Sequence, residues 1–539
     1  MLNLKIAVYQ FNPLVGDWTG NADKLITKAI EAQQNGCDLF ISSELALCGY
    51  SPEDLLLRPD FYSQLSLQLE RFKELSGITM LIGCPYREND LNYNSVFVIR
   101  DGLILGRYDK SILPNYGVFD EARYFESGIE PFVFTCSGVK IGVLICEDVW
   151  QSAPALLAAK AGSELLCVLN ASPYDIDKQN RRLRVANARV SETGLPLIYV
   201  NQYGAQDDLV FEGASFALNA DQELIMQLPV FVEKLAYMDY IKTGKVIGTI
   251  EPENITTYPL EIESIYGALV IAVRDYINKN KFSGVVLGLS GGIDSALTLA
   301  IAYDALGPDR VMAVMMPSKY TADISVNDSR DMVKRLGIRY EEIAISPIFN
   351  QFQSQLDEVF NGLAKDTTEE NLQARIRGTI LMAISNKLGY LVLTTGNKSE
   401  MATGYATLYG DMAGGFAPLK DVLKTQVYQL SMWRNQISDI IPKRIITRAP
   451  SAELRENQTD QDTLPDYAIL DQIITLLVDE LCSCSEIIQR GFTPDVVYKV
   501  AHLLKVNEYK RHQAPVGPKI SMRAFARDWR YPITNHFEY

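Results

Sequence analysis

In the first 240 residues, short apolar runs alternate with longer stretches in which apolar residues recur every three or four positions. The first pattern is typical of strands and the second of amphipathic helices. We predict strands over 4–10, 38–43, 78–83, 95–99, 103–110, 132–136, 139–145, 165–169, 197–201 and 211–218, and helices over 21–34, 154–162 and 177–193. Asn21 is predicted to open the first helix, and Ser137-Gly138 to form a hairpin turn. The mixture indicates an α/β sandwich in which helices cover the sheets.

From residue 262 onwards, strands and helices alternate regularly. We predict strands over 285–287, 311–316, 340–344 and 390–394, and helices over 262–280, 296–302, 322–336 and 371–388. Such alternation predicts a doubly wound parallel sheet, which binds ligands at the carboxyl ends of its strands. The pattern weakens between Met238 and Glu261, where Glu251-Pro252-Glu253-Asn254 is typical of a loop. The predicted domains are therefore 1–245 and 263–539, joined by a linker over 246–262.

A glycine-rich turn, Ser290-Gly291-Gly292-Ile293-Asp294-Ser295, lies between a predicted strand and a predicted helix. Adjacent glycines let a backbone approach an anion, and the N-terminus of a helix supplies free N–H groups. The turn is not a Walker A loop, since no Gly-Lys-Ser/Thr follows, and it lacks the G-x-G-x-x-G spacing. The alternative is a plain helix cap made by Ser290 or Asp294, but a cap needs only one of the six residues. We therefore predict a phosphate-binding turn.

The same six residues resemble the pyrophosphate loop of the ATP pyrophosphatase family, which includes NAD, GMP and asparagine synthetases. Its members cleave ATP between the α- and β-phosphates and adenylylate a substrate. The resemblance implies ATP as a co-substrate and leaves the acceptor open. It implies ATP contacts from Gly288, Leu289, Ser290, Gly291, Gly292, Ile293, Asp294 and Ser295, and the resemblance to NAD synthetases described below adds Thr395.

Composition and charge exclude several classes of function. The chain has 539 residues, of which 47% are hydrophobic and 22% charged, as in ordinary globular proteins. A net charge of -15 argues against general nucleic-acid binding. No apolar run reaches the roughly 20 residues that span a bilayer, and the first residues read as a strand rather than a signal peptide. The chain is therefore predicted to have no membrane partner, and its eight cysteines are sparse, which predicts a reduced, cytoplasmic protein.

Histidine is absent from the first 501 residues, so a site built there cannot use a Ser–His or Cys–His pair. Three other reactive side chains end predicted strands in that region, namely Glu44, Lys110 and Cys146. Each has an ordinary explanation when taken alone. The glutamate is a helix cap or a buried base, the lysine is a solvated charge, and the cysteine is a small buried hydrophobe or a nucleophile on a sharp turn.

Together, these three residues resemble the Glu-Lys-Cys triad of the nitrilase superfamily, over roughly residues 4–240. The motifs are SSELALCGY around Glu44, Lys110 with Leu113-Pro114, and LICEDVW around Cys146. The resemblance implies an α-β-β-α sandwich with Cys146 as nucleophile and Glu44 as general base. It also implies that Lys110 stabilises the oxyanion, assisted by the backbone N–H of Glu147. Glu121 stands where many members carry a second glutamate.

Glutamine-specific nitrilases suggest where the substrate binds. They place an aromatic ring six residues past the lysine, which here is Tyr116. They also read glutamine after the strand at 165–169, where Ser172 stands, with Lys178 six residues further on. These three residues are the predicted glutamine contacts. The neighbouring pair Arg181-Arg182 reads as a solvated helix face and is assigned no role.

The acceptor is indicated by the segment from Thr394 to Val422, which is rich in glycine and hydroxyl groups yet carries Glu400 and Asp411. It is either a surface loop with scattered charges or a functional loop, and loops of this length are uncommon unless functional. Acidic oxygens beside a phosphate turn would hold Mg²⁺. The segment resembles NAD synthetases rather than GMP synthetases, as do PSAEL at 450–454 and NLQARIR at 371–377.

The resemblance to NAD synthetases implies further roles in the second domain. Asn371, Glu400 and Lys510 would contact deamido-NAD, and Asp294, Glu400 and Asp411 would hold Mg²⁺. Lys424 is either a phosphate ligand or a solvated helix lysine. Related synthetases bind deamido-NAD across a two-fold interface, so we expect a homo-oligomer of at least two chains.

The two halves together predict one reaction. A Cys146 thioester would release ammonia from glutamine, and the second domain would use ATP and that ammonia to convert deamido-NAD to NAD⁺. The fusion of the two halves motivates the hypothesis of an ammonia channel. Two alternatives remain open. One is a glutamine-dependent amidotransferase of the same ATP class with a different carboxylate substrate. The other is a non-catalytic nucleotide sensor, although both sets of reactive residues are present.

Overall fold

The computed structural model describes residues 2–242, 249–250, 255–456 and 458–537. The chain divides into two compact units, one ending at Leu260 and the other beginning at Glu261. Residues 246–248 and 251–254 of the predicted linker over 246–262 lie outside the described residues. Within the described ranges, no helix combines the length and the apolar character needed to cross a membrane.

The first unit contains most of the strands of the chain. Its strands are β1 (Leu2–Gln10), β2 (Leu39–Ile41), β3 (Thr79–Glu88), β4 (Leu91–Arg100), β5 (Leu103–Asp109), β6 (Val133–Cys136), β7 (Val139–Ile145), β8 (Leu165–Asn170), β9 (Leu197–Asn201), β10 (Tyr203–Gln206), β11 (Leu209–Glu212), β12 (Phe216–Leu218), β13 (Leu224–Gln227), β14 (Lys234–Lys242) and β15 (Thr249–Ile250). Its helices are α1 (Trp18–Gln34), α2 (Pro59–Phe72), α3 (Ser152–Lys160) and α4 (Lys178–Thr193).

Two mixed sheets form the centre of this unit. One has the strand order β15-β14-β1-β2-β3-β4-β5, the other β13-β12-β9-β8-β7-β6, and β10 pairs with β11. Alternate residues of β1 show how they are layered. Leu4, Ile6 and Val8 share a core with β7, β8 and β9, whereas Ala7 and Tyr9 pack with α1 and α2. Helices α3 and α4 contact β7 and β12. The predicted α-β-β-α sandwich is confirmed.

Some predicted details of this unit are wrong. Helix α1 begins at Trp18 and not at Asn21, because the Asp17 side chain accepts a hydrogen bond from the first turn. The predicted strand over 211–218 is divided between β11 and β12, since Gly213 and Ala214 have φ values of 77° and 51° that turn the chain. Helix α2 and strand β14 were not predicted.

The second unit consists of helices around one small sheet. Its strands are β16 (Gly284–Gly288), β17 (Val311–Met315), β18 (Arg339–Glu342) and β19 (Tyr390–Leu393). Its helices are α5 (Glu261–Lys279), α6 (Ile293–Leu306), α7 (Asp323–Leu336), α8 (Ser346–Phe360), α9 (Thr367–Leu388), α10 (Lys398–Thr403), α11 (Lys424–Ile437), α12 (Lys443–Thr447), α13 (Tyr467–Ile474), α14 (Cys484–Gln489), α15 (Pro494–Val506) and α16 (Glu508–Arg511).

The sheet of the second unit is parallel, with the strand order β18-β17-β16-β19. The order reverses between β16 and β19, which is where open α/β sheets bind ligands. The glycine-rich turn follows β16 and Thr395 follows β19, so both lie at this switch point. Val286, Val314 and Val392 pack on residues of α9, and α6 contacts β16 and β17. The predicted doubly wound parallel sheet is confirmed.

Candidate active sites

The first candidate site is centred on Cys146, directly after β7. Cys146 has a φ of 41°, in the left-handed region that most residues avoid, and it opens a single 3₁₀ turn over Cys146–Trp150. Its side chain is 3% exposed. Burial raises the pKa of the thiol well above its usual value, Glu44 raises it further, and Lys110 lowers it. A nearby base and a nearby cation therefore both act on this thiol.

A buried ion cluster connects the other predicted catalytic residues. The Lys110 Nζ atom donates to Glu44 Oε1 and to Glu121 Oε1, each at 2.8 Å. The Asn94 Nδ2 atom donates to the same Glu44 oxygen at 2.8 Å, and the backbone N–H of Ala171 donates to Glu44 Oε2 at 2.8 Å. The structure thus brings Glu44, Lys110 and Glu121 together, and it holds both oxygens of Glu44 in place.

The cluster contains one ammonium group and two carboxyl groups, and their pKa values shift for different reasons. Burial lowers the pKa of Lys110, but the facing Glu121 and Glu44 carboxylates outweigh it and raise that pKa well above normal. The pKa of Glu121 is raised to about 7, mainly by burial and also by the neighbouring Glu44 carboxylate, although Lys110 acts in the opposite direction. Lys110 is therefore a permanent cation beside the thiol, and it is not the solvated charge considered from the sequence.

Asp148 holds the Cys146 turn to the segment that follows Lys110, a role that was not predicted. Its Oδ1 atom accepts from the backbone N–H groups of Ser111 and Ile112, at 3.0 and 2.8 Å. Its Oδ2 atom accepts from the Ile145 N–H at 3.0 Å and from the Tyr108 hydroxyl at 2.8 Å. Burial raises the pKa of Asp148 to about 6. One buried carboxylate thereby fixes the spacing between two strand ends.

Two of the predicted glutamine contacts lie beside the thiol. The Tyr116 ring is 54% exposed, and its hydroxyl donates to the Glu147 carboxylate at 3.0 Å. The Lys178 Nζ atom lies 4.7 Å from the centroid of the Trp150 ring. Burial lowers the pKa of Lys178 to about 8. Both side chains lie close enough to Cys146 to interact with it electrostatically.

The third predicted glutamine contact, Ser172, is held by a residue that was assigned no role. Arg182 is 1% exposed and donates to both the hydroxyl and the carbonyl oxygen of Ser172. The solvated helix face expected for Arg181-Arg182 is therefore wrong for Arg182. Arg181 remains partly exposed and pairs with Asp175. No local pattern distinguishes the two arginines, because both lie on one polar helix.

The second candidate site is a cavity of about 260 Å³ in the second unit. It lies at the switch point between β16 and β19. The predicted residues that line it are Gly288, Leu289, Ser290, Gly292, Ile293, Asp294, Ser295, Thr395, Glu400 and Asp411. Gly291 lines an adjoining cavity of about 100 Å³ with Arg448 and Glu453. The structure thus gathers the predicted ATP contacts around connected space.

The phosphate-binding turn leaves the start of α6 without a side-chain cap. The N-cap residue is Gly292 and makes no side-chain cap hydrogen bond, so the structure does not support the alternative of a plain cap made by Ser290 or Asp294. The Ser290 hydroxyl instead accepts from the Gly292 N–H at 3.2 Å. Gly291 has a φ of 80°, and a Cβ there would lie 2.6 Å from the Ser325 backbone. Glycine is therefore required, and the helix N-terminus remains available to an anion.

Charged groups converge on this turn from α10 and α11. Lys424 Nζ forms an ion pair with Asp294 and lies 3.7 Å from Glu400 Oε1. Asn397 Nδ2 donates to Asp294 Oδ1 at 2.9 Å. Burial, and then the neighbouring Asp294, raise the pKa of Glu400 to about 8. Lys424 is buried, so it is not the solvated lysine considered from the sequence, and it faces more carboxylate than it can neutralise.

Comparison with known proteins gives both units a family. The NAD synthase family model matches residues 265–514, and the carbon-nitrogen hydrolase model matches residues 5–242. The chain is 49% identical over 538 residues to a glutamine-dependent NAD(+) synthetase of Acinetobacter baylyi, with 99% of each chain covered. It is 43% identical to one of Thermotoga maritima, with 100% of each covered. The chain belongs to the glutamine-dependent NAD(+) synthetase family.

Solved structures from the glutamine-dependent NAD(+) synthetase family share its fold. The Acinetobacter baumannii enzyme in complex with ADP superposes with a TM-score of 0.81 at 44% identity, covering 98% of each chain. The Cytophaga hutchinsonii enzyme does so with a TM-score of 0.84 at 20% identity, covering 99% of this chain and 98% of that one. The two family resemblances read from the sequence are confirmed.

Three residues are predicted to contact deamido-NAD. Glu400 lines the cavity, whereas Asn371 and Lys510 do not. Asn371 Oδ1 accepts from the Thr407 hydroxyl at 2.9 Å, and Thr407 does line the cavity. Lys510 Nζ donates to two carbonyl oxygens of the 404–406 segment. Burial lowers the pKa of Lys510. These two residues support the loop at the cavity edge.

The predicted Mg²⁺ ligands divide into two groups. Asp294 and Glu400 share the ammonium group of Lys424, and their excess negative charge suits a divalent cation. Asp411 instead accepts from the Thr407 N–H at 2.6 Å, and its carboxylate faces Lys510. Among the described residues, no group of three or more His, Cys, Asp or Glu is arranged to hold a metal alone. The fit is thus to an ion completed by phosphate oxygens and water.

Proposed function

We propose that the chain converts deamido-NAD to NAD⁺, using ATP and the amide nitrogen of glutamine. The observation that carries the proposal is the presence, in one chain, of the buried Cys146–Glu44–Lys110 cluster and of a phosphate-turn cavity. Relatives that match the chain from end to end are named glutamine-dependent NAD(+) synthetases, which supports the same reading.

In the first unit, Glu44 accepts the proton of the Cys146 thiol, and the sulfur attacks the carboxamide carbon of glutamine. Lys110 and the Glu147 N–H stabilise the oxyanion, and Glu44 returns its proton to the nitrogen as the adduct collapses, so that the C–N bond breaks and ammonia leaves. Water then hydrolyses the thioester to glutamate. Glu121 holds Lys110 in position. Tyr116, Ser172 and Lys178 bind the glutamine, a set supported by the contacts of Tyr116 with Glu147 and of Lys178 with Trp150 in the Cys146 turn, and by the bond that holds Ser172.

In the second unit, the turn at 290–295 and Thr395 bind ATP, while Asn371, Glu400 and Lys510 orient deamido-NAD. A carboxylate oxygen of the nicotinate attacks the α-phosphorus, and pyrophosphate leaves toward the N-terminus of α6. Ammonia then attacks the acyl carbon, which releases AMP and gives NAD⁺. Lys424, held between Asp294 and Glu400, supplies a positive charge beside the phosphates.

Mg²⁺ would be held by Asp294 and Glu400, with Asp411 as a more distant candidate. When bound, it supplies electrostatic stabilisation for the departing pyrophosphate. Domain roles over 1–245 and 263–539, guided transfer of ammonia, assembly into a homo-oligomer and a cytoplasmic location stay predictions. An added ammonia-trapping enzyme that intercepts all of the nitrogen would argue against guided transfer.

The decisive experiment compares two nitrogen sources in Cys146→Ala. We expect glutamine-dependent NAD⁺ formation to fall about 10⁴-fold or more, because the thioester cannot form. Synthesis from added ammonium should remain, since the second unit is unchanged. NAD⁺ and AMP are measured together. Loss of both activities in a folded protein would contradict the division of labour, and turnover of a different carboxylate in place of deamido-NAD would change the acceptor.

A further inference from the structure

Arg182 is a buried cation that the reaction described above does not use. It lies on α4, one turn after Lys178, and it is 1% exposed. Its guanidinium forms an ion pair with the fully buried Glu212, and its Nη1 atom donates to Gln179 Oε1 at 3.3 Å. A buried arginine needs such partners, because an unpaired charge in the interior is very unfavourable. Glu212 and Gln179 therefore hold the guanidinium in one orientation.

The remaining donors of Arg182 point at the loop after β8. The Nε atom donates to the Ser172 hydroxyl oxygen at 3.1 Å, and the Nη2 atom donates to the Ser172 carbonyl oxygen at 2.6 Å. The Nη2 atom also reaches the Pro173 carbonyl oxygen at 3.1 Å. On the other side, the Ser172 N–H donates to Asn201 Oδ1 at 2.9 Å. Ser172 is thus held from both sides by buried groups.

The same loop is attached to the candidate general base. The backbone N–H of Ala171 donates to Glu44 Oε2 at 2.8 Å. Ser172 therefore stands one residue from a direct contact of Glu44. A shift of this loop would move Ser172, the proposed substrate contact, relative to Glu44, the proposed base. Because Arg182 holds the loop, its position affects the orientation of glutamine relative to Cys146.

The chemistry of the guanidinium fixes the role of the serine proton. Arginine only donates hydrogen bonds, so the Ser172 oxygen must be the acceptor in its bond with Arg182 Nε. The hydroxyl proton is then directed to an acceptor elsewhere. The Tyr199 hydroxyl lies close enough to Ser172 to interact with it, but the two hydroxyls are not placed to form a well-aligned hydrogen bond. An acceptor oxygen of the substrate is the partner that this arrangement suits.

We propose that Arg182 is a positioning residue for glutamine, which acts by orienting the Ser172 hydroxyl as a donor to an oxygen of the substrate. This inference rests on the proposed glutaminase function of the first unit. It assigns Arg182 no contact with the reacting carbon or with the thiol. Its expected signature is a change in the KM for glutamine with little change in kcat.

The test uses Arg182→Lys, which keeps a positive charge facing Glu212 and removes the planar donor to Ser172. We expect the KM for glutamine to rise roughly 10-fold to 100-fold, with kcat at saturating glutamine within about twofold, because one charge-assisted hydrogen bond is lost. Ser172→Ala should give the same change. The double variant should be no worse than either single variant, since the two residues act through one contact.

A second variant guards against misfolding. Arg182→Gln combined with Glu212→Gln replaces the ion pair with two neutral amides, so no charge is left unpaired. It should raise the KM for glutamine as Arg182→Lys does. Arg184→Lys is the matched control, because Arg184 lies on the same helix with an exposed side chain paired to Asp177, and its KM should stay within about twofold of the wild type.

Ammonium-driven NAD⁺ formation is measured for every variant, as a check that the chain is folded. An unchanged KM for glutamine in Ser172→Ala would overturn the inference, whatever becomes of Arg182→Lys. So would additive losses in the double variant, or a fall in kcat with KM unchanged. Failure of the proposed function looks different, because the wild-type chain itself would then make no NAD⁺ from glutamine or from ammonium.

Discussion

The two candidate sites treat charge in opposite ways. In the first unit, Lys110, Glu44 and Glu121 are buried, and each is bonded to another member of the cluster. In the second unit, Asp294 and Glu400 line an open cavity with Lys424 between them. Glutamine brings a neutral amide to its site, whereas ATP brings a triphosphate. We infer that a site for a neutral reacting group can pair its charged side chains with one another. A site for a charged ligand instead keeps charges that are neutralised only when the ligand binds.

Helix ends show the same contrast. The start of α1 in the first unit is closed by the Asp17 side chain, while the start of α6 has no side-chain cap. A capping side chain satisfies the free N–H groups that would otherwise bind an anion. The first N–H groups of α1 are therefore capped by a side-chain oxygen of the protein, whereas those of α6 are not. The predictions that follow test this contrast, from the largest expected effect to the smallest.

The largest effect is expected from Lys110→Met. Glutamine-dependent synthesis should fall about 10³-fold, because the oxyanion loses its cation. The first unit should also lose roughly 3–5 kcal/mol of unfolding free energy, since Glu44 and Glu121 would be buried without a counter-ion. Synthesis from ammonium and urea unfolding are measured together. Lys28→Met, at a half-exposed ion pair, is the control and should change stability by less than about 0.5 kcal/mol. Full glutamine-dependent activity in Lys110→Met would contradict the proposal that the first site depends on its own buried cation.

The catalytic cluster of the first unit was predictable because its members share a simple position. Glu44 and Lys110 follow strands of one sheet and Cys146 follows a strand of the other, and each is a reactive side chain that comes soon after an apolar run. The phosphate turn was predictable for a similar reason, since a strand, two glycines and a helix are contiguous in sequence. In both cases a local pattern was enough to place the chemistry.

The supporting residues were not predictable, because long-range contacts define them. Asn94 reaches Glu44 across 50 positions, and Arg182 reaches Glu212 across 30. Asp148 was hidden for the same reason, since its partners Ser111 and Ile112 are 37 and 36 positions away. A polar residue on a strand or a helix has no local mark of such partners. The sequence therefore predicts the reacting groups and misses the groups that orient them.

A middle-sized effect is expected from Glu400→Gln, measured as stability against pH without ligands. The pKa of Glu400 is raised to about 8 in the folded chain, so the folded state holds this proton more tightly than the unfolded state does. Its contribution is therefore most favourable below pH ~4.5 and is lost as the pH rises to about 8. The variant mimics the protonated form. Its free energy of unfolding should therefore exceed that of the wild type by a few kcal/mol once the pH has risen from ~4.5 to about 8.

Urea unfolding at intervals of one pH unit measures this difference. Glu358→Gln, at an exposed position of α8, controls for the change in net charge. If the unfolding free energies of the wild type and Glu400→Gln changed with pH in parallel, the charges of the second site would be neutralised without a ligand. That outcome would contradict the contrast between the two units.

The smallest effect is expected from Asp17→Ala, which removes the cap of α1. The Asp17 Oδ1 atom accepts from the Gly20 N–H at 2.9 Å, and loss of such a cap costs about 1 kcal/mol. Synthesis from glutamine and from ammonium should both be unchanged, because α1 packs on the outer face of its sheet, away from Cys146. Urea unfolding and the two activities are measured on the same preparation. Asp23→Ala, on the exposed side of α1, is the control, because Asp23 forms a surface ion pair and no cap. A loss of activity in Asp17→Ala would mean that a helix closed by its own side chain still takes part in function, and the separation between closed and open helix ends would fail.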